Sequence, residues 1–218
     1  MEDTIACIYL HEKDKWLLSD FYETSYGLIL KNSKNISTYE VYASSNLKNS
    51  FHSNGIVNLS APERYSQLSL KTYEMIRYCV SELKFSRLIK IDVTCALRDL
   101  SDSNFQNRQP VDPKVILNHI SDSFSHVDYS GIYWHEKPPR ECIEAWAEAK
   151  GGSVDIAKVF NQCETMPSWF SGKCYSISNR FANYISIHGK QMAREHAHYL
   201  MGSEDMMVGR LYEKFSRI

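Results

Sequence analysis

The sequence predicts an α/β fold in which a mainly parallel sheet is flanked by helices. Ile5–Leu10 is a short, continuous apolar run, which is typical of a buried strand. Apolar residues then recur at helical spacing from Leu68 to Leu83, and a second apolar strand, Leu88–Ile91, follows and ends at Asp92. Strand, helix and strand in this order form the unit of a parallel sheet. The 218 residues suit one domain, which we expect to span residues 1–218.

Four further strands are predicted where β-branched and aromatic residues cluster between turn residues. Ile36–Ala43 ends at a Ser-Ser-Asn break, and Gly55–Leu59 forms a short strand before the long helix. Tyr129–Trp134 and Tyr175–Ile177 are predicted in the second half of the chain.

In the first two thirds of the chain, helix boundaries are predicted from capping residues. Residues 16–18 indicate a short helical segment, and Ser66 or Ser69 is placed to cap the helix that begins near Leu68. Residues 101–109 are polar and indicate a loop. Asp112 and Pro113 then open a helix that extends to Phe124.

Three more helices are predicted towards the carboxyl terminus. Glu141–Lys150 is expected to end at the two glycines that follow it. Ser178 is expected to cap a helix that ends near Gly189. Ser203 is expected to cap the last helix, whose first turn carries Glu204 and Asp205, where acidic side chains suit the helix dipole.

Charge and composition argue against several classes of protein. The net charge is −1, from 25 basic and 26 acidic residues, so the basic surplus of a general nucleic-acid binder is missing. No apolar stretch is long enough to span a bilayer, and the first residues do not resemble a signal peptide, so a cytoplasmic protein is expected. The six cysteines are scattered without a Cys-x-x-Cys pair, which favours reduced thiols.

Four stretches contain the residues that could take part in binding or catalysis. They are Glu63–Thr72, Lys90–Thr94, Met166–Ser178 and Glu204–Gly209. Together they resemble the β-1,3-galactosyltransferase-like (Fringe-type) glycosyltransferases over about residues 55–209. The resemblance implies a GT-A-like domain that transfers a hexosyl or N-acetylhexosaminyl group, with inversion, from a nucleotide sugar, most simply a UDP-sugar. The acceptor would be a hydroxyl of a glycan or of a lipid-linked intermediate in surface-glycan synthesis.

The resemblance also implies roles for individual residues. Asp205 would be the catalytic base, with Glu204, Trp169 and Gly172 binding substrate. The donor would be bound by Asp92, Lys71 and Lys90, so Asp92 and Asp205 would have to line one cleft. Each residue also has a purely structural interpretation: a solvated lysine on an amphipathic helix, a polar strand end, a core tryptophan, or acids that favour a helix dipole.

The metal-binding acidic triplet of that family is reduced here to Asp92. Val93 and Thr94 stand where two further carboxylates would be, although carboxylates are the ligands that Mg²⁺ or Mn²⁺ prefers. The resemblance thus implies a divalent metal at Asp92, whereas the lost carboxylates argue against metal dependence. Without a metal, the leaving diphosphate needs side-chain cations, for which the candidates are Lys71, Lys90, Arg98, Lys173 and Arg210.

Two other functions stay open at this point. One is a viral-type transferase that glycosylates a DNA base, which would need a basic path for DNA. The other is a catalytically inactive sugar-binding module, which the reduced triplet favours. His196 and His198 would share a face only if they lay on a strand, where they could bind a metal, and ordinary hydrogen-bonding histidines are preferred.

Overall fold

The computed structural model describes residues 4–93, 127–132, 134–161 and 164–218. Two sheets are formed by the strands of this part of the chain. The strands are β1 (Thr4–Tyr9), β2 (Ile36–Ala43), β3 (Phe51–Ser53), β4 (Ile56–Leu59), β5 (Arg87–Asp92), β6 (Tyr129–Gly131), β7 (Trp134–His135), β8 (Trp169–Phe170) and β9 (Cys174–Ser178). The loop predicted at 101–109 and the helix predicted at 112–124 lie outside the described residues.

The helices of the described residues pack on both faces of the larger sheet, with one exception. They are α1 (Leu18–Glu23), α2 (Ser25–Asn32), α3 (Leu68–Glu82), α4 (Arg140–Ala149), α5 (Asn179–Tyr199) and α6 (Glu204–Phe215), with 3-10 turns at Glu12–Leu17, Tyr65–Gln67 and Ile156–Lys158. The exception is α4, which packs in a separate cluster with Trp169, Leu200 and Met206. None of these helices is both long enough and apolar enough to cross a membrane.

The larger sheet has seven strands in the order β3-β4-β2-β1-β5-β9-β6. The pairs β4–β2, β2–β1 and β1–β5 are parallel, whereas β3–β4, β5–β9 and β9–β6 are antiparallel. Within this sheet, all the strands except β3 and β9 therefore run in the same direction. The predicted α/β fold with a mainly parallel sheet is confirmed in this mixed form.

Strand β1 lies at the centre of the sheet and is buried on both faces. Its alternate residues point to opposite sides: Ile5 and Cys7 join the core beneath α3, α5 and α6, and Ala6 and Ile8 join the core beneath α1 and α2. A strand covered on both faces is apolar throughout, which is why the first apolar run predicted it correctly.

One predicted strand and one predicted helix differ from the structure. The strand predicted over Tyr129–Trp134 is divided, because β6 pairs with β9 in the large sheet and β7 pairs with β8 in the second sheet. The helix predicted to end near Gly189 continues to Tyr199 as α5. A β-carbon at Gly189 would lie 3.1 Å from the ring of Tyr73, so this glycine serves the close packing of α5 on α3.

The three capping predictions differ in their outcomes. Ser69 donates its hydroxyl to the carbonyl of Ala193 instead of capping α3, and no side-chain cap bond is made at the start of that helix. Ser203 occupies the N-cap position of α6 as predicted, but its hydroxyl is bonded to His196 and makes no side-chain cap bond. Ser178 does cap α5, because its Oγ accepts the N–H of Phe181 at 3.1 Å.

The metal hypothesis for His196 and His198 is also wrong in its premise. Both residues lie on α5, where side chains two positions apart do not share a face. His196 is buried, whereas His198 is exposed.

Candidate active site

The strand order itself indicates where a ligand would bind. The chain moves from β1 outwards to β2 and β4, and it then crosses to the other side of β1 to form β5. In open α/β sheets, ligands bind in the crevice at the carboxyl ends of the strands where the order reverses in this way. Those ends are Tyr9, in β1, and its register partner Asp92, in β5.

A cavity of about 480 Å³ lies at this edge of the sheet. Its lining includes five of the residues to which the resemblance assigns a role in the site: Asp92, Trp169, Gly172, Glu204 and Asp205. The two acids on α6 and the acid that ends β5 therefore face one space, although they are more than a hundred positions apart in the sequence. Lys173 also lines the cavity.

Lys90 lies beneath the cavity and does not line it. Its side chain is buried, and its Nζ donates to the carbonyl of Gly172 and to Oε1 of Glu204, the latter at 3.0 Å. The ammonium group also lies 4.7 Å from the ring centroid of Tyr9. Lys90 is thus placed to fix Glu204 and the Gly172 loop, and it has no exposed surface with which to contact a diphosphate.

Lys71 lies outside the lining as well. Its Nζ donates to Oε1 of Glu63 and to the carbonyl of Leu10, each at 2.5 Å, and it lies 4.5 Å from the ring centroid of Tyr9. Burial lowers the pKa of Lys71, and Glu63 opposes that shift. The predicted contact between Lys71 and the donor does not fit this position, where the lysine instead holds the carboxyl end of β1.

The remaining cation candidates fall into different places. Arg210 is bonded to Glu195 at 3.0 Å and to the carbonyl of Val159, and it is outside the cavity lining. Arg98 lies outside the described residues. The cavity is lined by Lys173, one of the cations predicted from the sequence. It is also lined by Lys150, which was not predicted as a cation.

Asp205 is held by backbone amides at the start of α6. Its Oδ2 accepts the N–H of Gly172 at 3.1 Å, and its Oδ1 accepts the N–H of Met206 at 2.8 Å. Burial, followed by the neighbouring charge of Glu204, raises the pKa of Asp205 to about 7, although the two amides and Lys90 act in the opposite direction. A carboxyl with a pKa near neutrality is suited to accept a proton and release it again.

Two glycines allow this arrangement to form. A β-carbon at Gly172 would overlap Oε1 of Glu204, so the glycine admits the carboxylate that pairs with Lys90. A β-carbon at Gly209 would overlap the carbonyl of Ser168, so that glycine lets α6 lie directly against the chain before β8. Gly209 lies about one turn after Asp205 on α6.

The change Gly172→Ala is expected to destabilise the protein by about 1–3 kcal/mol, because the added methyl group displaces Glu204 from Lys90. Chemical denaturation of both proteins measures the loss. In a Glu204→Ala background the methyl group has no carboxylate to displace, so the loss of stability caused by Gly172→Ala should be smaller there. Equal costs in the two backgrounds would refute the steric explanation.

Asp205 is expected to make the protein less stable as pH rises from about 4.5 to 7.5. Its pKa is raised to about 7 in the folded state, whereas a free aspartate has a pKa of about 3.9. The folded state therefore keeps a proton that the unfolded state has lost, and the free energy of unfolding falls with pH over this interval. Urea unfolding across this range should show a decline that is about 1–2 kcal/mol smaller in Asp205→Asn. Parallel curves would contradict the raised pKa.

Trp169 occupies a more buried place than a sugar-stacking residue would need. It retains 6% of its surface and stacks on His135 with a centroid distance of 5.1 Å. The cavity is also lined by Trp146 on α4, which is partly exposed. Trp146 was not predicted, because an isolated tryptophan in an amphipathic helix does not differ in pattern from a core residue.

His196 supports the loop before the two acids. Its buried Nδ1 lies 3.0 Å from both the carbonyl oxygen and Oγ of Ser203, and burial lowers the pKa of His196 to about 3. A neutral imidazole therefore fixes Ser203, which lines the cavity next to Glu204.

The acids at the cavity do not form a ready-made metal cage. Within the described ranges, no three His, Cys, Asp or Glu side chains lie close enough together to share an ion. Glu204 is paired with Lys90, and both oxygens of Asp205 accept amide hydrogens. Asp92 is the carboxylate at the strand end where the resemblance implies a metal, and this donor set does not fit a preformed metal site.

Comparison with models of known protein families and with curated proteins finds no match for this sequence.

Proposed function

We propose that this protein is an inverting glycosyltransferase that uses a nucleotide sugar, with Asp205 as the catalytic base. One observation carries the proposal: a half-buried carboxyl with a pKa of about 7 shares a cavity with Asp92 at the reversal point of the sheet. The first feature suits proton transfer at neutral pH, and the second is where nucleotides bind in open α/β sheets. The resemblance of the four sequence stretches supports the same chemistry.

The proposed reaction is a single displacement at the anomeric carbon. Asp205 takes the proton of the acceptor hydroxyl while that oxygen forms a bond to the anomeric carbon. The bond between the anomeric carbon and the diphosphate oxygen breaks, and its electron pair leaves with the diphosphate. The configuration inverts because the acceptor attacks the face opposite to the leaving group.

The donor would lie at the sheet end of the cavity. The N–H of Asp92 donates to the carbonyl of Lys173 at 2.9 Å, so these two residues are adjacent there. Asp92 can accept a hydroxyl of the ribose, as acidic residues at strand ends do in nucleotide-binding folds. Lys173 can offset the charge that develops on the diphosphate.

A panel of nucleotide sugars tests this proposal. We expect one UDP-sugar to raise the melting temperature, since a ligand that binds only the folded state stabilises it, and to release UDP slowly by hydrolysis. Release is expected to continue in EDTA, because Val93 and Thr94 leave the strand end with one carboxylate. Loss of release in EDTA and its recovery with Mn²⁺ would contradict the expected metal independence.

A sugar-binding module without turnover is the second candidate. The observation in its favour is that both acids on α6 already have protein partners, Glu204 in an ion pair and Asp205 in two amide bonds. The same panel separates the two candidates. Binding without release of UDP, with or without Mn²⁺ and with every acceptor tried, would favour the inactive module.

A further inference from the structure

The cavity has two chemically different ends. The sheet end is polar and contains Asp92, Ser171 and Lys173. The opposite end is formed by α4 and the residues before it, and its side chains are predominantly apolar. They include Pro138, Cys142, Ile143 and Trp146, faced by Met201 and Met206.

Asp205 lies at the boundary between the two ends. Its carboxylate is bonded to the Gly172 amide, on the side of the β9 loop. The next residue, Met206, packs in the same apolar cluster as Ile143, and Trp146 packs against that cluster. A group bound against α4 would therefore approach Asp205 from the side of Met206, whereas Gly172 and the adjacent Lys173 approach it from the side of the β9 loop.

The geometry of the proposed displacement determines which end of the cavity binds the donor and which end binds the acceptor. The acceptor oxygen, the anomeric carbon and the leaving oxygen must be roughly in line, and the base must be within hydrogen-bond reach of the acceptor hydroxyl. If the diphosphate is at Lys173, the acceptor lies on the far side of Asp205, against α4. The acceptor end is thus the apolar end of the cavity.

An apolar wall is a poor surface for a purely polar glycan. Sugar hydroxyls that lose water there need hydrogen-bond partners, and Trp146, Ile143 and Met201 offer few. The same wall would instead exclude water favourably around a hydrocarbon or an aromatic ring. The charged exception is Lys150, which follows α4 at the edge of the cavity.

Accordingly, we propose that the acceptor carries its hydroxyl next to an apolar group, either an aromatic ring or a lipid chain, which packs between α4 and Met201. The inference rests on the proposed function for the direction of the acceptor. Binding of the apolar group can nevertheless be tested without donor turnover.

Cys142 provides a direct probe of this wall. It is a free, exposed thiol that lines the cavity, whereas Cys7, Cys79 and Cys174 are buried. The experiment is alkylation by N-ethylmaleimide followed by mass spectrometry of the Cys142 peptide. The probes are octyl, 4-nitrophenyl and methyl glycosides of glucose, galactose and N-acetylglucosamine, below their micellar concentrations, with and without UDP.

At least one octyl or nitrophenyl glycoside is expected to slow the alkylation of Cys142 at a concentration at least tenfold below that of its methyl counterpart. The octyl and nitrophenyl arms decide between a lipid and an aromatic group. Trp146→Ala should abolish this difference. Trp16→Ala, which changes a tryptophan that is 69% exposed and outside the cavity lining, should preserve it.

A second variant keeps the test valid if Trp146→Ala does not fold. Cys142→Arg places a charge on an exposed position of the same wall, and it should remove the additional thermal shift given by the octyl or nitrophenyl glycoside over the methyl glycoside. Equal protection by methyl and apolar glycosides, or no protection by any apolar glycoside, would overturn the inference. Either result would leave UDP-sugar turnover, and with it the proposed function, untouched.

Discussion

Replacing Asp205 by asparagine is expected to lower the rate of sugar transfer by about 10²–10⁴-fold, the range for loss of a general base. The amide cannot take the proton of the acceptor hydroxyl, yet it has nearly the same shape. Binding of UDP is expected to stay within a few-fold, because the proposed diphosphate position is at Lys173. Steady-state kinetics with the UDP-sugar found in the panel, together with UDP titration, measure both quantities.

Asp20→Asn is the matched control for this change. Asp20 is also an acid in the first turn of a helix, α1, and it is exposed. This control should keep full activity, since the substitution is chemically identical but lies outside the cavity lining. Retained turnover in Asp205→Asn, measured beside an active control, would remove Asp205 from the mechanism.

Replacing Glu204 by leucine is expected to destabilise the protein by about 3 kcal/mol or more, because Lys90 then becomes a buried charge without its carboxylate. The side chains of Lys90 and Glu204 are 1% and 10% exposed, so water cannot take over the role of the lost partner. For a chain of this length the melting temperature should fall by about 6–12 °C. Calorimetry or thermal denaturation at neutral pH measures the effect.

Two further variants distinguish a buried ion pair from a general loss of packing. Lys90→Met combined with Glu204→Leu should recover most of the stability, because it removes both charges together. Arg77→Met breaks the pair with Glu74, in which the arginine side chain is 44% exposed, and it should cost less than about 1 kcal/mol. A double variant as unstable as Glu204→Leu alone would contradict the electrostatic explanation.

Much of the fold could be predicted because local pattern and burial agree. The apolar stripe of α3 and the apolar run of β1 follow directly from their contacts, since α3 presents one face to the core and β1 is buried on both sides. Asp92, the acid that ends β5, could also be placed at a ligand-binding edge of the sheet. This is because a strand, a helix and a second parallel strand can be connected in few other ways.

Other features depend on contacts between distant segments, which a local pattern does not contain. Gly189 has the residue type of a helix end, yet α5 passes through it because Tyr73 packs closely there. Lys71 and Lys90 have the residue type of exposed or ligand-binding side chains, yet Glu63 and Glu204 make their burial possible. The short strands β3 and β8 have three and two residues, which are too few to show the alternation of apolar and polar residues that predicts a strand.

The most direct test of Asp205 as the catalytic base is a crystal structure of the complex with the UDP-sugar that gives the largest thermal shift. We expect the diphosphate beside Lys173 and Asp92, with the anomeric carbon facing Asp205. When an acceptor is added to the crystal, its hydroxyl oxygen should lie between them, about 2.6–3.2 Å from the carboxylate. A nucleotide bound away from this cavity, or a sugar whose anomeric carbon points away from Asp205, would contradict the account.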